Sequence, residues 1–74
     1  PIPKGICFAA EIGLSGELRN ISKIEQRINE AEKLGFKFLI VSEATKISKP
    51  PKKIKILKYS RIEELLKKLF KVQD

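Results

Sequence analysis

The residue types that carry most enzyme chemistry are nearly absent from this chain. Among 74 residues there is no His and a single Cys, Cys7. A Ser-His-Asp triad, a Cys-His pair, a Cys/His zinc cluster and an internal disulfide all require residues that are missing. The composition therefore excludes the commonest hydrolytic and zinc-dependent mechanisms within these residues.

Three glutamates and one glycine turn remain as candidates for a chemical site. Nothing in the spacing of Glu11, Glu17 and Glu25 forces their carboxylates together, so we interpret Glu25 as a helix cap and the other two as exposed. The turn at 13–16 lacks the Walker Lys-Ser/Thr pair and the three-glycine dinucleotide pattern, which favours a structural turn over a phosphate loop. We expect no catalytic residue, metal site or cofactor in this segment.

Basic residues give the strongest chemical signal. Sixteen Lys and Arg against nine Asp and Glu give a net charge of +7, and residues 44–62 contain seven basic residues and no acid, whereas the rest is balanced. Such a segment attracts a nucleic-acid backbone in a salt-dependent manner. The alternative is a solvated Lys-rich loop, and one aromatic, Tyr59, is too few for a base-stacking platform. The candidate nucleic-acid-binding residues are Lys46, Lys49, Lys52, Lys53, Lys55, Lys58 and Arg61.

The first half of the chain predicts a hairpin and a helix. Residues 6–12 alternate in polarity as one strand, and residues 17–21 resume the pattern after the turn. Ser22 and Glu25 match a capping box for a helix that ends at Gly35 in a left-handed conformation.

The second half predicts a strand, an exposed connection, a strand and a second helix. The apolar run at 36–41 suits a central strand covered on both faces, and Pro50-Pro51 with four lysines make 43–53 the expected mobile connection. A strand at 54–59 precedes a second capping box at Ser60 and Glu63. We expect the ion pairs Glu63–Lys67 and Glu64–Lys68 and an apolar stripe of Ile62, Leu65, Leu66, Leu69 and Phe70.

The order β-β-α-β-β-α indicates the α/β class, α+β in some schemes, with a parallel strand pair, a right-handed crossover and helices packed on a small sheet. Residues 1–74 are long enough for a single domain or part of one. The chain begins with Pro1 rather than Met, so we expect an excised fragment. The apolar surroundings of Cys7 predict a thiol in the reducing cytoplasm, and no apolar run is long enough to cross a bilayer.

The segments EIGLSGELR at 11–19 and IEQRINEAEKLGF at 24–36 closely resemble the C-terminal domain of the RadA (Sms) family of bacterial DNA repair proteins. Ile40-Val41 and SRIEEL at 60–65 resemble the end of the same domain, so the resemblance covers essentially the whole chain. Asn20 stands where the family usually has Pro, Ala10 stands where Gly is common, and the Lys/Pro segment is less family-like.

That family's domain is similar to the proteolytic domain of the Lon protease, an α/β fold that forms a hexameric ring and uses a Ser-Lys dyad. Alignment on Gly16 places Glu25 at the position of the dyad lysine, and the chain has no Gly-Asp-Ser-Ala-Gly nucleophile segment. The resemblance therefore implies a non-proteolytic Lon-like module that is not itself an enzyme.

For a longer protein the resemblance implies a zinc-binding segment, a RecA-like ATPase core using ATP and Mg, and a homo-oligomeric ring with DNA and recombination proteins as partners. The present segment would serve as oligomerisation scaffold and DNA-binding surface. Two alternatives stay open: a fragment of an active ATP-dependent Lon-type serine peptidase, and a stand-alone basic adaptor domain.

Overall fold

A small sheet and two helices form the part of the chain that the structure, a computed structural model, describes: residues 5–70, without the side chains of Leu69 and Phe70. The elements in chain order are β1 (Ile6–Phe8), β2 (Glu11–Ile12), β3 (Leu18–Arg19), α1 (Ile24–Lys33), β4 (Phe38–Ser42), β5 (Lys55–Tyr59) and α2 (Ile62–Phe70). This mixed arrangement confirms the predicted α/β class.

The main sheet has the strand order β1-β4-β5, and both strand pairs are parallel. Its central strand, β4, carries the four most deeply buried side chains of the described residues, Leu39 to Ser42, each no more than 1% exposed. A parallel strand covered on both faces needs a continuous apolar run rather than an alternating one. The predicted central position of this run is confirmed.

The predicted single strand at 6–12 is divided between two sheets. β1 pairs with β4, whereas β2 pairs antiparallel with β3 as the predicted hairpin, with Glu11 opposite Arg19. The Ala9 N–H donates to the carbonyl of Ile40 at 2.8 Å, and the chain leaves β4 after this bond. The alternation of residue types continues through Ala9 and Ala10, so the sequence pattern does not indicate where β1 ends and β2 begins.

Helix α1 ends as predicted but begins differently. At its end Gly35 has φ +88°, and the N–H groups of Phe36 and Gly35 donate to Ala31 and Glu32 carbonyls at 3.1 Å, the Schellman arrangement. At its start the N-cap residue is Lys23, with φ 58° and no side-chain cap. The predicted capping box of Ser22 and Glu25 is wrong because a left-handed residue separates Ser22 from the helix.

Helix α2 begins with a carboxylate cap one residue later than predicted. The Glu64 carboxylate, not that of Glu63, accepts from the N–H groups of Ser60 at 3.0 Å and Arg61 at 3.2 Å. Glu63 instead binds the Arg61 guanidinium at 2.8 Å.

Within residues 5–70, neither predicted pair with Lys67 or Lys68 is among the ion pairs. The predicted stripe members Leu69 and Phe70 lie outside the described side chains.

The hydrophobic core lies between α1 and the main sheet. Cys7 is partly buried and packs against this core as a free thiol. Neither described helix is long and apolar enough to cross a membrane. The buried residues of this core are Ala9, Ile28, Ala31, Leu39, Val41 and Ile54, and Leu18, Ile40 and Leu65 are buried apolar residues outside it.

Candidate nucleic-acid interface

The segment between β4 and β5 carries four of the predicted binding residues. Because these strands are parallel neighbours, the chain must return across the sheet before β5 begins. Residues 43–54, here called the crossover loop, make this return without a helix or strand. Its exposed lysines are Lys46, Lys49, Lys52 and Lys53.

Two glutamates of α1 hold the crossover loop. The Glu25 carboxylate accepts from the Ser48 N–H at 3.3 Å and also from the Ser48 hydroxyl. The Glu32 carboxylate accepts from the N–H groups of Lys53 at 3.0 Å and Ile54 at 3.2 Å. Glu25 and Glu32 are seven positions apart and therefore share one face of the helix. The crossover loop is thus tied to α1 at two points.

The bonds from Ser48 also affect the ionisation of Glu25. They lower the pKa of its carboxyl, and the nearby Lys49 ammonium adds to the effect. Glu25 therefore stays ionised to a lower pH than an ordinary glutamate. The residue that stands at the dyad position of the Lon resemblance is, in this fold, an anchor for the crossover loop.

A groove of about 640 Å³ lies between α1 and the crossover loop. The structure brings three of the predicted residues, Lys49, Lys52 and Lys53, to this groove, and α1 adds Lys33. Lys33 is missing from the predicted set because it lies outside the basic segment. Its helical spacing of eight from Glu25 is the sequence signal that could have identified it.

The other predicted binding residues lie outside this groove. Lys46 is exposed at the start of the crossover loop, and Lys55 and Lys58 are exposed on β5, at an edge of the main sheet. Arg61 donates to the Ser15 carbonyl and to the Glu63 carboxylate, and the bond to Glu63 raises the pKa of the guanidinium. Arg61 therefore connects α2 to the hairpin.

Lysine and arginine are used differently in this fold. All three ion pairs in residues 5–70 involve arginine, namely Arg19–Glu17, Arg27–Glu30 and Arg61–Glu63. No lysine in that range forms an ion pair, that is, none has its ammonium nitrogen within 4.0 Å of a carboxylate oxygen. The ammonium groups of the crossover loop and β5 are thus available to an external anion.

The hairpin turn has a structural role. The Glu17 carboxylate accepts from the Ser15 hydroxyl at 2.5 Å and the Arg19 guanidinium at 2.6 Å, which lowers the pKa of Glu17 to about 2. Leu14 is fully exposed at the tip.

Glu11, Glu17 and Glu25 do not converge, and the described part of the chain contains no group of three or more potential metal-ligating side chains.

Several known proteins with a similar sequence share one name. The chain is 48% identical over 66 residues to DNA repair protein RadA of Streptococcus pneumoniae, and 44% identical over 62 residues to the protein of that name from Bacillus subtilis. These matches cover 86% and 82% of this chain. The RadA protein of Listeria monocytogenes is 43% identical over 63 residues. No family model matches the chain.

The chain is therefore a homologue of bacterial DNA repair proteins. The family is that of RadA, and the chain is a RadA-related segment that spans 14 to 16% of the length of these curated relatives. The likeness to the Lon proteolytic domain stays a prediction from the motifs.

Proposed function

We propose that this chain is a non-catalytic module of a RadA-type DNA repair protein that binds the DNA backbone and contributes to an oligomeric scaffold. The contact residues are the lysines of the crossover loop and of β5. The observation that carries the proposal is the absence of carboxylate partners for the lysines of residues 5–70, alongside ion pairs at three arginines.

Unpaired lysines favour phosphate binding for a thermodynamic reason. A paired cation must give up its protein partner to bind a phosphate, whereas an unpaired one only allows counterions to leave the DNA. If about five lysines contact phosphates, log affinity falls against log salt with a slope of about −4 to −5. Without aromatic platforms, binding depends on the backbone and little on sequence.

Fluorescence anisotropy with a labelled duplex at several salt concentrations tests the DNA contact. Replacing Lys49, Lys52 and Lys53 together by Gln should weaken binding about 10- to 100-fold and reduce the salt slope by about 3. The matched control replaces Lys37, Lys67 and Lys68, which are exposed elsewhere. Equal losses in the two triple variants, or none in the first, would contradict the proposed interface.

The scaffold role concerns the longer protein. The ring, the ATPase with its ATP, Mg and Zn, and recombination proteins as partners are proposed for that protein on the strength of the family resemblance. Light scattering after size exclusion tests the assembly, with a mass several times that of one chain as the expected result. A longer protein that remains monomeric would remove the scaffold role and leave the DNA contact to be judged by anisotropy.

A further inference from the structure

The groove proposed to bind DNA contains two carboxylates among its lysines. Glu25 and Glu32 both line it. By charge alone, each should repel a phosphate backbone and weaken binding. Both, however, accept two hydrogen bonds from the crossover loop that carries the lysines.

We propose that Glu25 and Glu32 are positioning residues for polyanion binding, which hold the crossover loop so that its lysines line one side of the groove opposite Lys33. This inference rests on the proposed DNA contact. It assigns a favourable effect on DNA binding to two residues whose charge opposes it.

The position of the two anchors along the crossover loop supports this role. Glu25 binds at Ser48 and Glu32 binds at Lys53 and Ile54, so the anchored positions bracket Lys49 and Lys52. Between the anchors lie Pro50 and Pro51, whose rings fix the backbone φ. A short segment that contains two prolines and is held at both ends has few conformations left to lose when the lysines meet phosphates.

The contacts of the crossover loop also show why the carboxylates are needed. The loop contains neither a helix nor a strand, so it lacks the regular backbone bonds that would fix it. Ile47 and Ile54 pack against the core and anchor the chain before Ser48 and after Lys53. Glu25 and Glu32 supply the polar contacts of the lysine-bearing part between them.

Anisotropy with the same labelled duplex separates positioning from simple charge. Glu25→Ala and Glu32→Ala should each weaken binding about 3- to 10-fold, because the loop must then be ordered on binding. The control Glu11→Ala removes an equal charge from β2, outside the groove, and should leave affinity unchanged or raise it. The conservative variant Glu32→Gln keeps an acceptor oxygen and should restore or exceed the original affinity.

Hydrogen exchange at the Lys53 and Ile54 amides reports on loop order without DNA. It should become faster in Glu32→Ala and stay slow in Glu32→Gln, the variant that still tests the proposal if the alanine variant fails to fold. If the alanine variants bind as tightly as the original chain or more tightly, which is the result expected of the Glu11 control, the positioning role is overturned while the DNA contact stands. If the unaltered chain fails to bind duplex at low salt, the proposed function itself fails.

Discussion

Within residues 5–70, carboxylates accept hydrogen bonds from serine and backbone donors and form no ion pair with lysine. Glu17, Glu25 and Glu64 each bind a serine hydroxyl, and these bonds lower the pKa of each carboxyl. These three carboxylates therefore fix a turn, a loop and a helix start, and two of them, Glu17 and Glu25, were candidates for acid-base chemistry. Each role depends on the carboxylate being ionised.

The largest of these pKa shifts gives a pH prediction at Glu17. Its pKa falls from 4.5 to about 2 in the folded chain, so the ionised form is favoured by folding. The stability it contributes is present above pH 4.5 and is lost as the pH falls towards 2. Urea unfolding across this range should show a smaller acid loss in Glu17→Gln than in the original chain. Identical pH profiles would refute a role for Glu17 in holding the turn.

Gly13 gives a second test of the same contact. A Cβ at Gly13 would overlap the carboxylate of Glu17, the end of a flexible side chain that must then move. Gly13→Ala should therefore reproduce the flatter acid profile of Glu17→Gln. Both changes disrupt the same contact, that of the Glu17 carboxylate with Ser15 and Arg19. The loss of unfolding free energy in the double variant should therefore be smaller than the sum of the losses in the two single variants. Strict additivity would show that Gly13 acts independently of the carboxylate.

At the scale of the elements, the ends of the helices show what a sequence pattern can predict. The Gly35 stop is local, since a left-handed glycine and two bonds to the preceding turn are sufficient. The start of α1 is not local, because the donors that occupy Glu25 come from Ser48, 23 positions away. Tertiary contact overrides the Ser22–Glu25 pattern, and no inspection of the residues between 22 and 25 could reveal it.

The two serines expected to cap the helices should respond differently to substitution. Ser22 is exposed and the Lys23 N-cap has no side-chain cap, so Ser22→Ala should change the free energy of unfolding by less than about 0.5 kcal/mol. Ser60 donates its hydroxyl to Glu64 at 2.9 Å, so Ser60→Ala should be the more destabilising of the pair. Urea titration at pH 7 compares them. Equal losses would restore the capping box at Ser22.

At the scale of the whole molecule, the composition of the basic segment predicted the candidate lysines but not their grouping. Lys49, Lys52 and Lys53 meet at one groove because the crossover loop returns on the face that α1 occupies, where Glu25 and Glu32 bind it. Lys46 and Lys58 belong to the same sequence segment and lie outside the groove. A count of charges along the sequence does not indicate on which face of the sheet the crossover loop returns.

The burial of each leucine predicts how much its side chain stabilises the fold. Leu39 is 0% exposed in β4, and Leu39→Ala should lower the free energy of unfolding by about 2–5 kcal/mol or leave the chain unfolded. Leu14 is fully exposed at the hairpin tip, so the same substitution there should have an effect below about 0.5 kcal/mol. Urea midpoints measure both. Similar losses at the two leucines would contradict the described core.

The parallel pairing of β1 with β4 has a consequence for the order of folding. Ile6 pairs with Phe38, so the hairpin and α1 are synthesised after β1 and before β4, the partner of β1 in this sheet. During synthesis, which runs from the amino end, the first strand waits for 32 further positions before its backbone groups can pair. The apolar segment around Cys7 therefore leaves the ribosome well before β4, its partner in this sheet, and is open to wrong partners during that interval.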